Sequence, residues 1–209
     1  KTLNASNTGI STIDDLQSDH AERTFPMLEN LDISNNKNLY SIDGVNEKSP
    51  ALVNLKASGC GILGTLPQVP DTIEDLDISN NLFSTLTNLP TALLKFSGKK
   101  NDLDTIPNLP QSTRIVDLEG NPLDDWTLSI SDLSQKDNST TSSSYNLEQL
   151  NITGSNKLPT GLNVFENLNT LVANDIDVNG SLPSLPSSLQ NVELENTGIT
   201  NLDGLSSCV

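Results

Sequence analysis

The line Leu76-Asp77-Ile78-Ser79-Asn80-Asn81-Leu82-Phe83 has the form L-x-L-x-x-N-x-L, with a further apolar residue, Ile73, three positions upstream. The frame recurs along the chain. Its strand-centre apolar pairs are Leu3/Ala5, Leu31/Ile33, Leu55/Ala57, Leu76/Ile78, Phe96/Gly98, Val116/Leu118, Leu150/Ile152, Leu171/Ala173 and Val192/Leu194. The asparagine-type position falls at Thr8, Asn36, Cys60, Asn81, Asn101, Asn121, Ser155, Ile176 and Thr197, at successive intervals of 28, 24, 21, 20, 20, 34, 21 and 21 residues. A unit this short cannot bury its apolar side alone and must stack on its neighbours.

Each part of the frame has a physical reason. In L-x-L, alternate side chains point to opposite faces of a short strand, so the leucines go inward and the intervening residues outward. After the strand the chain turns and leaves backbone groups inside the stack, where they need partners. Asparagine has both donor and acceptor atoms and can serve the turns of adjacent units; Cys, Ser and Thr do so in part. Proline suits the return path, which needs no ladder hydrogen bond. It stands in Leu66-Pro67, Leu89-Pro90, Leu109-Pro110 and Leu182-Pro183. Nine strands at ~4.8 Å predict a parallel sheet about 38 Å long.

These nine frames resemble the leucine-rich repeat family over essentially the whole chain. The resemblance implies an α/β repeat solenoid. A short parallel β-sheet forms its concave face, and irregular or 3-10 connections form its convex side. Residues 1–209 read as one solenoid of about nine repeats. Two frames depart from the pattern: Ile176 cannot make the polar contact, and Gly98 leaves a hole where an apolar residue belongs. Leu3 is already a strand residue and the last repeat ends at Leu205, so both terminal caps are expected to be incomplete, with more protein on at least one side.

Composition limits the partners. The chain has 209 residues, 33 Leu, 26 Asn, 3% aromatic residues and 27 acids against 11 bases, for a net charge of −16. Nucleic acid needs Lys/Arg stripes and is a poor partner, as is an anionic membrane surface. No run of 18 apolar residues exists to span a bilayer.

Two intervals are long. One spans Asp14 to Pro26, holds the only histidine, His20, and admits a short convex helix. The other holds a Ser/Thr-rich insertion at 127–145, which reads either as a tolerated surface loop or as a lip beside the concave face. Trp126, just before it, reads as core filling. Cys60 reads as a buried thiol on the polar ladder. It lies roughly 29 Å along the axis from Cys208, too far to pair with it. Cys208 is left free or bonded outside this chain. Two cysteines and one histidine give no zinc spacing, so no metal or other cofactor is expected.

The outward strand positions carry charge in lanes. The residues singled out as candidate ligand contacts are Asp32, Lys56, Asp75, Asp77, Lys95, Lys99, Asp117, Glu119, Asn151, Glu193 and Glu195. The lanes of the fourth, fifth and sixth repeats are acidic, basic and acidic. Two readings stand: Lys95 and Lys99 neutralise Asp75, Asp77, Asp117 and Glu119 across strands, or this region is a polar recognition surface. The carboxylate pairs Asp75/Asp77 and Asp117/Glu119 lack a cleft or an outward aromatic residue, and His20 has no nucleophile beside it, so catalysis is not expected.

Two segments, Cys60-Gly61-Ile62-Leu63-Gly64-Thr65-Leu66-Pro67 and Ile176-Asp177-Val178-Asn179-Gly180-Ser181-Leu182-Pro183, resemble the plant-receptor repeat subtype. The 20-residue spacing of repeats four to six, with Leu89-Pro90 before Leu93, resembles bacterial effector repeats. The irregular intervals favour the receptor type. This resemblance implies an extracellular or cell-surface recognition domain that binds a protein or peptide on its concave face. The alternative is an effector-type or intracellular scaffold module that delivers an attached catalytic domain. Candidate N-glycosylation triplets stand at Asn4, Asn138, Asn151 and Asn179.

Overall fold

A computed structural model describes residues 1–16, 24–124, 145–178 and 180–205. The expected parallel sheet is present. Its nine strands lie in the order β1 (Thr2–Asn4), β2 (Asn30–Asp32), β3 (Asn54–Lys56), β5 (Asp75–Asp77), β7 (Lys95–Ser97), β8 (Ile115–Asp117), β9 (Gln149–Asn151), β10 (Thr170–Val172) and β11 (Asn191–Glu193). The strands omitted from that order, β4 (Leu63–Thr65) and β6 (Leu82–Thr85), pair with each other on the flank of the solenoid. The sequence reading placed no strand there.

Register follows from the frame. Leu31, Leu55, Leu76, Phe96, Val116, Leu150 and Leu171 stand in one row across the sheet, and all are buried. Burial of each such side chain contributes roughly 1.5–3 kcal/mol, so the core is a line of near-equal contributions. The return path holds short 3-10 turns at Ile13–Leu16, Leu162–Val164 and Asp203–Leu205 and one α-helical turn, α1 (Val45–Lys48). No helix among the described residues is long and apolar enough to cross a membrane.

The two irregular frames are resolved by packing. Gly98 leaves no hole: a Cβ there would stand 2.8 Å from Phe96 Cζ and 3.2 Å from Leu118 Cδ2. The larger Phe96 ring occupies the space that the missing side chain vacates. Ile176 is fully buried and fills the turn with hydrocarbon instead of an amide.

Asparagine carries the inner ladder as expected. Asn81 donates through Nδ2 to Ala57 O (2.8 Å) and Ile78 O (2.9 Å) and accepts the Ile62 N–H at 3.3 Å. Asn101 and Asn121 repeat the arrangement one and two coils on. The shorter Ser155 and Thr197 hydroxyls bond a carbonyl of their own coil, Ile152 O and Leu194 O. Cys60 is half-buried rather than buried, with Sγ 3.4 Å from Ile33 O. Loss of hydration pushes its thiol above the ordinary cysteine range.

Two further regularities organise the turns. The residue before each ladder position is left-handed in every coil: Asn7, Asn35, Gly59, Asn80, Lys100, Gly120, Gly154, Asp175 and Asn196. Eight of the nine are Gly, Asn or Asp, the types that tolerate this conformation. On the return path, Pro70, Pro90, Pro110 and Pro186 each open a turn by accepting the N–H three residues on. Hydroxyls inside these turns reach the preceding coil: Thr72 to Leu52 O (2.6 Å), Ser112 to Leu93 O (2.8 Å) and Ser188 to Leu168 O (2.7 Å).

His20, Trp126, Asn138, Asn179, Cys208 and nearly all of the 127–145 insertion lie outside the described residues. The insertion's last residue, Tyr145, is described and packs edge-on against Phe165, ring centroids 5.5 Å apart.

Candidate recognition surface

The concave face is built from the first and third residues of each strand. One lane runs Thr2, Asn30, Asn54, Asp75, Lys95, Ile115, Gln149, Thr170, Asn191; the other runs Asn4, Asp32, Lys56, Asp77, Ser97, Asp117, Asn151, Val172, Glu193.

The second lane has a structural duty that sequence reasoning missed. Side-chain oxygens of Asn4, Asp32, Asp77, Asp117 and Asn151 accept the backbone N–H two residues on, from Ser6, Ser34, Ser79, Glu119 and Thr153, at 2.9–3.3 Å. The next rung of the parallel ladder would send the Ser34 N–H to Ala5 O, but Asn36 Nδ2 occupies that carbonyl at 2.9 Å. Asn81 takes Ala57 O in the same way, and Asn121 takes Gly98 O. The displaced N–H needs another acceptor, and a short carboxylate or amide at the strand end supplies it. The signal was readable as a [D/N]-x-[S/T/E] triplet after five of the nine strand centres: Leu3, Leu31, Leu76, Val116 and Leu150.

Ion pairing divides the face. Lys99 bridges Asp117 (3.0 Å) and Glu119 (3.6 Å). The Asp117 carboxylate, by hydrogen bond and charge, holds the Lys99 ammonium above the ordinary lysine range, with Glu119 adding to it. Lys95 reaches Asp75 at 3.9 Å, the limit of an ion pair. Cross-strand pairing therefore accounts for Asp75, Asp117 and Glu119 but not for Asp77, whose recorded bond is to the Ser79 N–H. Lys56 makes no ion pair among the described residues and stands in register between Asp32 and Asp77.

The polar groups converge nearer the first strand than the charge lanes suggested. A shallow recess of about 460 Å³ crosses β1, β2, β3 and β5, lined by Thr2, Asn4, Asn30, Asp32, Asn54, Lys56 and Asp75 with Leu3 and Leu31 beneath. Asn54 Nδ2 donates to Asn30 Oδ1 at 2.7 Å. This leaves Asn54 Oδ1 as an acceptor and Asn30 Nδ2 as a donor for a ligand. Of the candidate contacts, Asp32, Lys56 and Asp75 come together here. Asp77, Lys95, Lys99, Asp117 and Glu119 form the adjoining charged strip, and Asn151 lies beyond it. Glu193 and Glu195 sit at the far edge, five strands or roughly 24 Å past β5. Asn30 and Asn54 were not singled out from sequence, although asparagine at one strand position in consecutive repeats was the available signal. Asn4 and Asn151 are both strand-end acceptors on this face, so a glycan on either would cover its lane.

No protein-family model matches the sequence, and no curated protein is similar enough to match it. Solved structures do match. The leucine-rich effector protein YopM of Yersinia pestis superposes with a TM-score of 0.64 at 20% identity, over 95% of this chain and 58% of that one. YopM of Yersinia enterocolitica WA-314 gives 0.60 at 21% identity, over 89% and 41%. The functional domain of InlJ from Listeria monocytogenes, which includes a cysteine ladder, gives 0.50 at 16% identity, over 99% and 48%. The chain thus spans about half the length of the solved chains it resembles. At these identities the likeness is one of fold, and with the nine-stranded sheet and its asparagine ladder it establishes the chain as a leucine-rich repeat solenoid.

Proposed function

We propose that this chain is a non-enzymatic recognition module that binds a protein or peptide on its concave face. The observation that carries the reading is the recess across β1, β2, β3 and β5, where the Asn30 and Asn54 amides, two carboxylates and the Lys56 ammonium, which makes no ion pair among the described residues, share one open floor. Such a set suits a polar chain with exposed peptide groups and mixed charge. Long apolar ligands are disfavoured, because only Ile115 and Val172 are apolar among the two lanes' outward residues.

The test uses a variant that removes charge and keeps shape: Asp32→Asn, Lys56→Gln and Asp75→Asn together. Asparagine preserves the strand-end acceptor that Asp32 provides, as it does natively at Asn4 and Asn151. Partners retained by the wild-type chain should be lost or bound at least tenfold more weakly by the variant. Undiminished binding sinks the concave-face reading.

For cellular context, we place the chain outside the cell as part of a receptor-type ectodomain, on the irregular repeat lengths and the two L-x-G/L-P segments near Leu66 and Leu182. An effector-type or scaffold role is the second reading, and the likeness to YopM favours it at the level of fold. The intact mass of natively produced protein before and after N-glycan removal separates them. A mass loss supports the secreted reading, and an unchanged mass removes the sequons from its support.

A further inference from the structure

A cleft of about 520 Å³ opens on the flank of the solenoid, lined by Tyr40, Asp43, Ile62, Leu63, Thr65 and Pro67 among others. Its wall is the edge of β4. Leu82 donates its N–H to Ile62 O at 2.7 Å. In a parallel pair this turns the backbone groups of Ile62 and Gly64 toward β6 and those of Leu63 toward the cleft; the register shifts between Gly64 and Thr65, where the regular alternation ends. The preceding coil follows β4 only as far as the Gly61 N–H bond to Leu39 O (3.2 Å). Past that point the longer second coil diverges into α1, and no backbone bond from it reaches Leu63 or Thr65 among the described residues.

The surroundings are unusual for this protein. Tyr40, Leu63 and Leu82 are 59%, 61% and 54% exposed, three of the six large hydrophobic residues exposed among the described residues. Leu63 and Leu82 are register partners, so their side chains form one apolar stripe across two coils. Exposed edges are normally blunted by Lys, Pro or a covering segment. Here the stretch Leu63–Thr65 has none, and the sole charged residue lining the cleft is Asp43. Among the described residues that carboxylate accepts only from the neighbouring Ser41 hydroxyl, on a chain of net charge −16.

We propose that the β4 edge is a second interaction site, separate from the concave face, which takes an extended segment of a partner protein as an added strand. The segment pairs with the backbone of Leu63, lays apolar side chains over Leu63 and Leu82, and brings a lysine or arginine to Asp43. Main-chain pairing supplies the geometry, and the alternating side chains supply the selectivity.

The test uses two synthetic peptides of equal positive charge, one alternating valine with lysine and one alternating proline with lysine. The valine peptide should bind the full chain roughly tenfold more tightly, because proline cannot donate to the edge. Hydrogen exchange of the Leu63 amide should slow only with the valine peptide. Leu63→Pro removes the outward N–H while the Ile62 and Gly64 groups that face β6 remain, and it should abolish the difference. Asp43→Lys, on an exposed side chain that does not threaten folding, should weaken the valine peptide several-fold. Equal affinity of the two peptides, or protection at Asn54 and Asp75 instead of Leu63, overturns the proposal. Lys56→Gln, which tests the concave site, should leave this binding unchanged, so the two readings fail separately.

Discussion

The asparagine ladder shares acceptors unevenly, and that unevenness makes a ranked prediction. Ile78 O receives Nδ2 from both Asn81 and Asn101, and Gly98 O receives it from both Asn101 and Asn121. Removing the Asn101 amide therefore strands one group, the Phe83 N–H, because both carbonyls keep a second donor. Removing the Asn81 amide strands two, Ala57 O and the Ile62 N–H. A stranded buried group costs about 1–3 kcal/mol. With about 1.5 kcal/mol each, Asn81→Ala should destabilise by about 3 kcal/mol and Asn101→Ala by about half of that. Both substitutions remove the same atoms from turns of the same design, so the cavity contribution cancels in the comparison. Urea unfolding of the two variants, with an unchanged denaturant slope, gives the difference directly. In melting temperature the gap is about 3–6 °C for a chain of this size. Equal losses, or a larger loss for Asn101→Ala, would show that the ladder is not held by the individual bonds described above.

Three other outcomes follow from local chemistry. Thr113 Oγ1 is buried without a partner among the described residues, at the position that Ile73 and Leu93 occupy in earlier coils. The near-isosteric Thr113→Val should stabilise by about 1–2 kcal/mol in the same urea assay, and a loss of stability would point to a hidden partner. Lys100 is the one left-handed turn residue that is not Gly, Asn or Asp, with φ of 50°. Lys100→Asn should raise stability by about 1 kcal/mol, and a decrease would contradict a conformational cost there. Because the folded pKa of Lys99 lies above its unfolded value, the Asp117 pair contributes stability below the unfolded pKa, and this is lost as pH rises through the folded one. In an alkaline titration followed by NMR, the Lys99 Nζ should deprotonate at lower pH in Asp117→Asn than in the wild-type chain, and an unchanged titration would refute the pairing.

The fold was legible because its signals repeat. The L-x-L frame fixed strand positions and register to the residue, since one face of every strand is buried and a one-residue slip would invert it. The flank strands were not legible. Leu63-Gly64-Thr65 and Leu82-Phe83-Ser84 lack a long alternation, and they pair because adjacent coils bring them side by side rather than by local propensity. The Gly98 hole was misread for a related reason. Its filling by Phe96 is a same-strand compensation two residues away, visible only once the ring direction is known. The concave site was legible as a face but not as a place. Sequence gave the outward residues and their charge, but which carboxylates are already occupied depends on backbone hydrogen bonds that no side-chain pattern reports.

Asp32, Asp77 and Asp117 each carry two roles. One oxygen ends the strand by taking a displaced N–H, while the negative charge faces solvent at Asp32 and Asp77 and meets Lys99 at Asp117. The roles separate chemically, because asparagine performs the first without the second, as it does at Asn4 and Asn151. Charge on this lane can therefore change by Asp/Asn exchange at little structural cost, whereas alanine or lysine would also strand a backbone donor. Lys56 sits on the same lane without that duty, and among the described residues neither strand-end bond nor ion pair constrains it. A face built this way can retune its electrostatics coil by coil while its sheet stays unchanged, which is the property a recognition surface on a repeating scaffold requires.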